Sequence, residues 1–493
     1  MKFNEDTRVK IPTILNLVKL GYKYISLKQP DLEIDGNTNI FKNIFIESLL
    51  KINESYSRED IVNFFDTVSL SLENEDLGKA FYEKLINQSE IKLIDFENFD
   101  KNTFNVVTEL TYKKDDDEFR PDITLLLNGL PLVFIEVKKP NNRDGINAEH
   151  KRIGTRFKNK KFKKFINLTQ LMIFSNNMEY NDYSSDKLEG AFYSTTSYRE
   201  PIFNYFREEE KFNLNELLIK LDDETENLIL KDNNLLSIKN SQEFLVNKNP
   251  ENPTNRICIS LLQRDRISFI LKFGINYATK SNKIEKHVMR YPQLFATKAI
   301  QNSISKGNKK GIIWHTQGSG KTALAYYNVR HLTEHFKKRK IITKFYFIVD
   351  RLDLLTQASL EFRSRGLFVN NINSKEEFAN EIKKKVAITN DHGKTEITVV
   401  NIQKFQEDKD ILEQNDYHLD IQRVYFLDEV HRSYNPRGSF LANLEESDRN
   451  AIKIGLTGTP LLGDNNSKTI FGNYIHKYYY NMSIKDGYTL RLI

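Results

Sequence analysis

The stretch Gly311-Ile-Ile-Trp-His-Thr-Gln-Gly-Ser-Gly-Lys-Thr322 decides how the C-terminal half of the chain folds. An apolar strand runs into a glycine-rich turn, and the helix-forming run Ala323-Leu-Ala325 follows the turn. In such a turn the glycines let the backbone amides face a phosphate, while Lys321 reaches the β- and γ-phosphates and Thr322 ligates Mg²⁺. The stretch therefore predicts a phosphate-binding loop (residues 315–322) between a strand and a helix.

One residue of this loop departs from the common phosphate-binding pattern. His315 stands where the pattern has its first glycine. A glycine-rich turn that starts a helix and binds no ligand is the alternative interpretation. The candidate nucleotide-binding residues of the loop are Gly318, Ser319, Gly320, Lys321 and Thr322.

A pair of acids follows the apolar run Val424–Leu427. ATPases present their magnesium ligand, and the carboxylate that polarises the attacking water, at the end of a buried strand. Asp428 is accordingly the candidate Mg²⁺ ligand and Glu429 the candidate catalytic residue. A solvated strand end is the alternative, but the phosphate-binding loop earlier in the chain favours a shared site for ATP and Mg²⁺.

The pattern after residue 257 alternates apolar strands with helices, which predicts a doubly wound α/β fold with a parallel sheet. Each predicted strand ends in a polar cluster. Because ligands bind at the carboxyl ends of parallel strands, we expect these clusters to share one site. The predicted strands are Gly311–His315, Phe345–Val349, Glu396–Val400, Val424–Leu427 and Ile452–Leu456.

A second group of charged residues lies on a predicted hairpin in the N-terminal half, where Asn128-Gly129 forms the turn. Glu136 and Lys138 are two residues apart on one strand, so both side chains project from the same face, and Asp122 starts the neighbouring strand and can approach Glu136. Two carboxylates and a lysine suit metal-dependent phosphodiester cleavage. Asp122 and Glu136 are the candidate Mg²⁺ ligands, and Lys138 the residue that activates water. A surface hairpin with ordinary ion pairs is the alternative.

The bulk properties indicate a multidomain protein. With 493 residues, two to four domains are expected. A segment with two prolines, residues 247–256, predicts a linker. It separates an α/β nuclease-type domain with a helical extension (residues 1–246) from the parallel-sheet domain (residues 257–493). Cys258 is the only cysteine, and no apolar stretch approaches about 18 residues, so we predict a cytoplasmic protein without a membrane segment.

Basic residues cluster directly after the N-terminal hairpin. The net charge of +6 is weak evidence for a polyanionic partner, but residues 151–164 hold eight basic residues and no acid. This surface suits phosphate contacts, with Lys158, Lys160 and Lys161 as the candidate DNA-binding residues. A solvated basic loop is the alternative, and the acidic run Asp115–Glu118 is interpreted as a solvated turn.

The motifs resemble, in order, those of the restriction and translocation subunit of type I restriction-modification enzymes. Arg120–Pro140 looks like the PD-(D/E)xK nuclease domain of that family. Asp428–His431 resembles the DEAH motif II of superfamily 2 helicases, and Leu456–Pro460 resembles their motif III. The resemblance implies a restriction-endonuclease-like α/β domain followed by the first of two RecA-like motor domains. Because the second is not seen, the chain resembles an N-terminal piece that binds ATP but hydrolyses it poorly.

The resemblance also implies roles for single residues. Arg351 and Gln403 correspond to motifs that lie along the DNA backbone, and Gln293 corresponds to the glutamine that binds adenine. The family's Gln-x-x-x-Tyr element has no clean match, and Glu149 is the candidate for its glutamine position. Glu5 is a candidate third acid of the nuclease site, with a solvated N-terminal acid as the favoured alternative.

The function that the resemblance implies is ATP-dependent translocation and Mg²⁺-dependent cleavage of double-stranded DNA. The resemblance also implies separate methyltransferase (modification) and specificity subunits as partners. The sequence shows no methyltransferase or target-recognition motif, which agrees with that division. Two alternatives stay open: a self-standing helicase-nuclease of DNA repair or phage defence, and an ATP-binding scaffold without catalysis.

Overall fold

The computed structural model describes residues 4–140, 143–180, 190–383, 395–402, 421–430, 448, 450–459 and 471–489. The chain forms two compact units. Unit 1 comprises residues 1–277 and 282–289, and unit 2 comprises residues 278–281 and 290–493.

The first eleven strands are β1 (Lys23–Tyr24), β2 (Phe104–Thr108), β3 (Tyr112–Lys114), β4 (Asp117–Phe119), β5 (Ile123–Leu127), β6 (Leu130–Val137), β7 (Leu171–Ser175), β8 (Ala191–Ser194), β9 (Asn204–Tyr205), β10 (Ile275–Lys280) and β11 (Lys283–Val288). Seven of them form a mixed sheet in the order β1-β2-β5-β6-β7-β8-β9. Its centre is apolar, because every residue of β5, β6 and β7 is buried.

The predicted Asn-Gly hairpin is confirmed. Asn128 and Gly129 have φ angles of +50° and +78°, the left-handed conformation that a two-residue turn between antiparallel strands requires. A side chain at Gly129 would lie 2.7 Å from the carbonyl oxygen of Phe41, so only glycine fits. β5 ends directly before this turn at Leu127, and β6 begins directly after it at Leu130.

The helices of unit 1 are α1 (Ile11–Lys19), α2 (Lys42–Ile52), α3 (Arg58–Ser71), α4 (Lys79–Ile86), α5 (Arg143–Phe157), α6 (Lys163–Leu168), α7 (Leu214–Leu217), α8 (Asp223–Asp232), α9 (Gln242–Asn247), α10 (Pro253–Leu262) and α11 (Arg264–Phe269). α5 and α6 connect the parallel neighbours β6 and β7. A π-helical turn, Asp6–Lys10, precedes α1.

The division between the units differs from the predicted linker at residues 247–256. Pro253 is the first residue of α10, where its missing N–H costs nothing. α10 packs against α1, β7 and β8 and buries Cys258 and Leu261 completely. Because this apolar face completes the core of unit 1, the polar sequence before it does not separate domains, and the units divide between Met289 and Arg290.

Unit 2 is a seven-stranded parallel sheet. Its strands are β12 (Lys310–His315), β13 (Ile342–Val349), β14 (Phe368–Ile372), β15 (Glu396–Asn401), β16 (Ile421–Leu427), β17 (Ile452–Thr457) and β18 (Tyr474–Tyr478). They are ordered β14-β15-β13-β16-β17-β12-β18, and every neighbouring pair is parallel. The predicted doubly wound fold is confirmed, and β14 and β18 extend the sheet beyond the five predicted strands.

The described helices of unit 2 are α12 (Tyr291–Ser305), α13 (Lys321–Lys337), α14 (Leu352–Ser364), α15 (Lys375–Lys383) and α16 (Tyr480–Lys485). Since β13, β16, β17 and β12 are consecutive in the parallel sheet, their carboxyl ends meet at one edge. Within the described ranges, no helix combines the length and the apolar character needed to cross a membrane.

Candidate active sites

The register of the β5–β6 hairpin brings the candidate nuclease residues together. Ile123 pairs with Ile135, so Asp122, just before β5, stands beside Glu136 on β6. One Asp122 carboxylate oxygen accepts a hydrogen bond from the Val137 amide at 2.9 Å. This bond holds Asp122 between Glu136 and Lys138, as the sequence predicts.

Lys138 lies among four carboxylates, and we call these five residues the Lys138 cluster. Its Nζ is 3.8 Å from Glu136 and 4.0 Å from Asp122. The other two distances are 3.7 Å to Glu149 and 3.9 Å to Glu5. One cation among four acids leaves the site with an excess of negative charge.

Burial and the neighbouring carboxylates raise the pKa values of two acids of the cluster. Burial first, and then repulsion from Asp122 and Glu149, raises the pKa of Glu136 well above its ordinary value, while Lys138 opposes the shift. Burial also raises the pKa of Glu5, with Lys138 opposing and Asp122 adding to the rise. A divalent cation would relieve this repulsion.

Two members of the cluster come from elements far from the hairpin. Glu5 lies beside the first π-helical turn and accepts a hydrogen bond from the Lys139 amide at 3.1 Å, so it is not the solvated acid that the sequence favoured. Glu149, on α5, is 1% exposed and makes ion pairs with Arg152 and with Arg156. The sequence singled out both residues only through the family resemblance, because neither lies near the hairpin along the chain.

The donor set of the Lys138 cluster suits Mg²⁺ bound together with a phosphate. Among the described residues, no group of three or more His, Cys, Asp or Glu has the arrangement of a complete metal cage. Mg²⁺, however, typically takes one or two protein carboxylates and completes its shell with water and substrate phosphates. Asp122 and Glu136 are two neighbouring carboxylates that could serve in this way.

The phosphate-binding loop has the backbone that its sequence predicts. Gly318 and Gly320 have φ angles of +81° and +87°, and Gly320 caps α13. A side chain at Gly320 would approach the Gln293 amide nitrogen to 2.6 Å. The hydroxyl of Ser319 is buried and has no hydrogen-bond partner among the described residues. These features fit a loop shaped to receive phosphate oxygens, next to Thr322 in the first turn of α13.

The second ATPase motif faces the loop. Lys321 Nζ lies 3.4 Å from a Glu429 carboxylate oxygen, and Asp428 precedes it at the end of β16. Burial, with repulsion from Glu429 and against the attraction of Lys321, raises the pKa of Asp428 to about 6. Glu429 has a φ of +51°, an unfavourable conformation for this residue type that is typical of functional sites. His431 of the same motif lies outside the described residues.

Gln293 is positioned against the phosphate-binding loop. Its amide nitrogen donates to the Gly320 carbonyl at 3.1 Å, and its amide oxygen accepts from the Arg290 backbone amide at 3.1 Å. The residue is buried, with 4% exposure. The contact with adenine stays a prediction. The structure shows that the Gln293 side chain links α12 to the phosphate-binding loop by hydrogen bonds.

His315, the departure from the loop pattern, is fully buried. Its Nε2 shares a 2.7 Å hydrogen bond with Nδ1 of His476 on β18. Burial, followed by repulsion from His476 and Lys321, lowers the pKa of His315 well below its ordinary value. The imidazole is therefore neutral and ties the start of the loop to the neighbouring strand.

The candidate DNA-binding residues have acidic neighbours. Lys161 makes exposed ion pairs with Asp115 and Asp117, and Lys158 lies 3.9 Å from Glu200. The acidic run is an exposed turn, as predicted, and two of its acids pair with one lysine of the basic cluster. Because surface pairs of this kind contribute little energy, a phosphate can replace the carboxylate. Lys160 is exposed.

Arg351 lies at the predicted edge of the motor sheet. It follows β13 and is half exposed, with its guanidinium 3.6 Å from Asp353. Gln403 and Pro460, both singled out from sequence, lie outside the described residues. A contact of Arg351 with DNA stays a prediction.

Two family models match the chain, one in each half. Residues 2–191 match the N terminus of the type I restriction enzyme R protein, and residues 292–493 match the SWI2/SNF2 ATPase. The chain is similar to the endonuclease subunits of type I restriction enzymes. The first model contains the Lys138 cluster, and the second contains the phosphate-binding loop with Asp428 and Glu429.

Curated relatives match nearly the whole chain. The putative type I endonuclease subunit MjaIXP of Methanocaldococcus jannaschii is 27% identical over 97% of this chain and 44% of its own length. The subunit SauCOLORF180P of Staphylococcus aureus is 26% identical over 99% of this chain and 47% of its own length. The chain thus spans less than half of these relatives.

Proposed function

We propose that this chain is the nuclease and ATP-binding part of a type I restriction endonuclease subunit, which cleaves double-stranded DNA with Mg²⁺ and translocates it with ATP. The observation that carries the proposal is the Lys138 cluster, in which Asp122, Glu136 and a lysine meet at one strand end. The motor fold of unit 2 supports the ATP-dependent half of it.

In the nuclease site, we assign Asp122 and Glu136 to Mg²⁺ and Lys138 to the attacking water. Lys138 is 16% exposed and held by carboxylates on several sides, so its ammonium group has one preferred position. There it orients the water and offsets the charge that develops on the phosphate. The bound metal would supply Lewis-acid activation of that water.

In the motor, we assign ATP to the residues around the phosphate-binding loop. Lys321 contacts the β- and γ-phosphates, Thr322 and Asp428 bind Mg²⁺, and Glu429 polarises the water. Gly318, Ser319 and Gly320 donate backbone amides to phosphate, and Gln293 stands where adenine would be recognised.

DNA and the partner subunits complete the proposal. Lys158, Lys160 and Lys161 contact phosphates beside the nuclease site, and Arg351 contacts the backbone at the motor. Methyltransferase and specificity subunits would supply modification and sequence recognition. We expect the complex in the cytoplasm, since the only cysteine, Cys258, is a buried free thiol.

The decisive experiment is cleavage of a plasmid carrying the recognition site, with Mg²⁺ and ATP, by the chain alone and by the complex reconstituted with its partner subunits. Glu136→Gln should lower cleavage at least about a hundredfold, as expected for a group central to the chemistry. The matched control is Glu118→Gln, an exposed acid of the same domain, which should cleave like wild type. Equal cleavage by Glu136→Gln and wild type would refute the nuclease assignment. Efficient cleavage without partner subunits would favour a self-standing helicase-nuclease.

A further inference from the structure

The segment of residues 474–489 lies against the phosphate-binding loop. β18 pairs with β12 up to His315, directly before the loop turns. The Thr316 amide donates to the Tyr478 carbonyl at 3.1 Å, and the Thr489 hydroxyl donates to the Gln317 carbonyl at 3.4 Å. The backbone of the loop is therefore held from this segment at two successive residues.

Asp486 is the buried charge of this segment. It is 2% exposed and follows α16. Its Oδ2 accepts hydrogen bonds from the hydroxyls of Tyr291, at 2.5 Å, and Tyr478, at 2.7 Å. A buried carboxylate is costly unless it is hydrogen-bonded, and bonds to a charged acceptor are among the stronger ones in proteins. The two tyrosines therefore cannot separate from Asp486 without a large energetic cost.

Each tyrosine belongs to a different wall of the nucleotide site. Tyr291 is the first residue of α12, two residues before Gln293, whose side chain donates to Gly320 at the end of the loop. Tyr478 pairs with His315 at the start of the loop. Asp486 thus closes a ring of contacts that begins and ends on the phosphate-binding loop.

We propose that Asp486 is a positioning residue of the nucleotide site, which fixes the Gln293-bearing end of α12 relative to the phosphate-binding loop. The proposal rests on the assignment of unit 2 as the ATP-binding motor. In this role Asp486 acts through its hydrogen bonds with Tyr291 and Tyr478. Because coupling is reciprocal, nucleotide bound between α12 and the loop also orders residues 474–489.

The test uses the full chain and three nearly isosteric variants, Asp486→Asn, Tyr291→Phe and Tyr478→Phe. The matched control is Tyr425→Phe, which removes another buried tyrosine–aspartate bond, that of Tyr425 to Asp448 at 3.3 Å. Hydrogen–deuterium exchange of residues 315–322 is measured without nucleotide. Calorimetry then gives the Kd values for Mg²⁺-ATP and Mg²⁺-GTP, and thermal melting shows whether each variant is folded.

We expect faster exchange of the loop in the three variants and not in the control. We also expect Mg²⁺-ATP to bind about tenfold more weakly, the order of losing one hydrogen bond to a charged group, with a smaller preference for ATP over GTP. The double variant Asp486→Asn with Tyr291→Phe should bind Mg²⁺-ATP little more weakly than either single variant, because both substitutions act on the same hydrogen bond. A general loss of stability would instead speed exchange throughout unit 2 and leave the ATP:GTP ratio unchanged.

The proposal would be overturned if the loop of a folded Asp486→Asn variant exchanged at the wild-type rate. It would also be overturned if exchange were faster but the Kd for Mg²⁺-ATP and the ATP:GTP ratio of affinities were unchanged. Failure of the wild-type chain to bind nucleotide would count against the proposed ATP function of the chain. In that case the exchange of the nucleotide-free loop still decides whether Asp486 positions it.

Discussion

The Lys138 cluster of unit 1 and the Lys321–Glu429 pair of unit 2 contain the same groups, a lysine and paired acids at a strand end. In unit 1 the lysine directly follows β6, two residues after Glu136 on that strand, and further acids surround it. In unit 2 the lysine begins α13, while Asp428 and Glu429 directly follow β16. One site is assembled mainly by a hairpin, and the other by the order of strands in a sheet.

The two sites differ in the charge of the ligand that each one favours. The Lys138 cluster has four carboxylates to one lysine, so its acids gain from a bound cation. Lys321 is drawn toward Glu429 across the edge of the sheet, so a phosphate must compete with that carboxylate for the same ammonium group. The first site suits a metal, and the second suits an anion that arrives with its own metal.

The largest effect should come from removing each lysine in turn. Lys321→Ala should weaken Mg²⁺-ATP binding about a hundredfold, because it deletes charge-assisted contacts to phosphate, and should leave metal binding to unit 1 unchanged. Lys138→Ala should leave ATP affinity at the wild-type value while abolishing DNA cleavage. Calorimetry and plasmid cleavage measure the two effects.

Lys337→Ala, at the exposed end of the same helix as Lys321, is the matched control for ATP binding. A wild-type Kd in Lys321→Ala would contradict the assignment of the loop. Loss of ATP binding in Lys138→Ala would break the comparison itself, since the two lysines would not then serve separate ligands.

The next effect concerns the negative charge of the Lys138 cluster. Because the pKa of Glu136 is raised in the folded protein, the wild type loses stability as pH rises from the unfolded pKa, near about 4.3, through the folded one. Glu136→Gln should therefore melt higher than wild type near neutral pH without Mg²⁺, and its advantage should shrink as pH falls toward 5. Adding Mg²⁺ should raise the melting temperature of the wild type more than that of the variant.

Glu118→Gln, which removes an exposed carboxylate, should melt like wild type across this pH range. An advantage of Glu136→Gln that grows as pH falls would have the wrong sign for a raised carboxyl pKa. It would show that the cluster does not carry repulsive charge.

A third effect tests a charge of unit 1 that belongs to neither site. Lys286 is buried, donates to the Thr169 carbonyl at 2.7 Å, and has a pKa lowered well below its ordinary value by burial. The folded state thus loses a proton that the unfolded chain keeps, so stability should rise as pH approaches the ordinary lysine pKa of about 10.4, by at most about 1.4 kcal/mol per pH unit.

Lys286→Met should remove this rise, and Lys283→Met, an exposed lysine of the same strand, should retain it. Thermal melting across the pH range measures both. Parallel pH curves for wild type and Lys286→Met would contradict the buried-charge explanation.

The smallest effect should come from Lys161. Its exposed pairs with Asp115 and Asp117 should contribute under about 1 kcal/mol to stability. Lys161→Ala should weaken DNA binding modestly and lower the salt dependence, the slope of log K against log salt, by about 1. Lys231→Ala, an exposed lysine on α8, is the control. An unchanged slope would remove Lys161 from the DNA surface.

Much of the fold could be predicted because its signals are local. The five predicted strands of unit 2 are all present, since continuous apolar runs bounded by polar residues favour buried parallel strands. The local sequence of residues 201–240 favours helix, yet Asn204–Tyr205 pairs with β8 instead. There the hydrogen bonds of the sheet override local helix propensity.

The residues of the nuclease site likewise include some that a local pattern predicts and others that only packing brings together. Asp122, Glu136 and Lys138 could be found from sequence because two of them share a strand and the third starts its hairpin partner. Glu5 and Glu149 approach Lys138 only through the packing of the N-terminal turn and α5, which no local pattern specifies.

By itself the sequence determined the hairpin, the phosphate-binding loop and the alternation of strands and helices, because side-chain periodicity and glycine conformation act over a few residues. Only the tertiary structure decided that the units divide at Arg290, that Glu149 is buried beside Lys138, and that Asp486 ties Tyr291 to Tyr478. These contacts join residues that are distant in the chain. They form only when the helices and strands pack, because packing brings apolar faces together and places buried charges beside their ion-pair and hydrogen-bond partners.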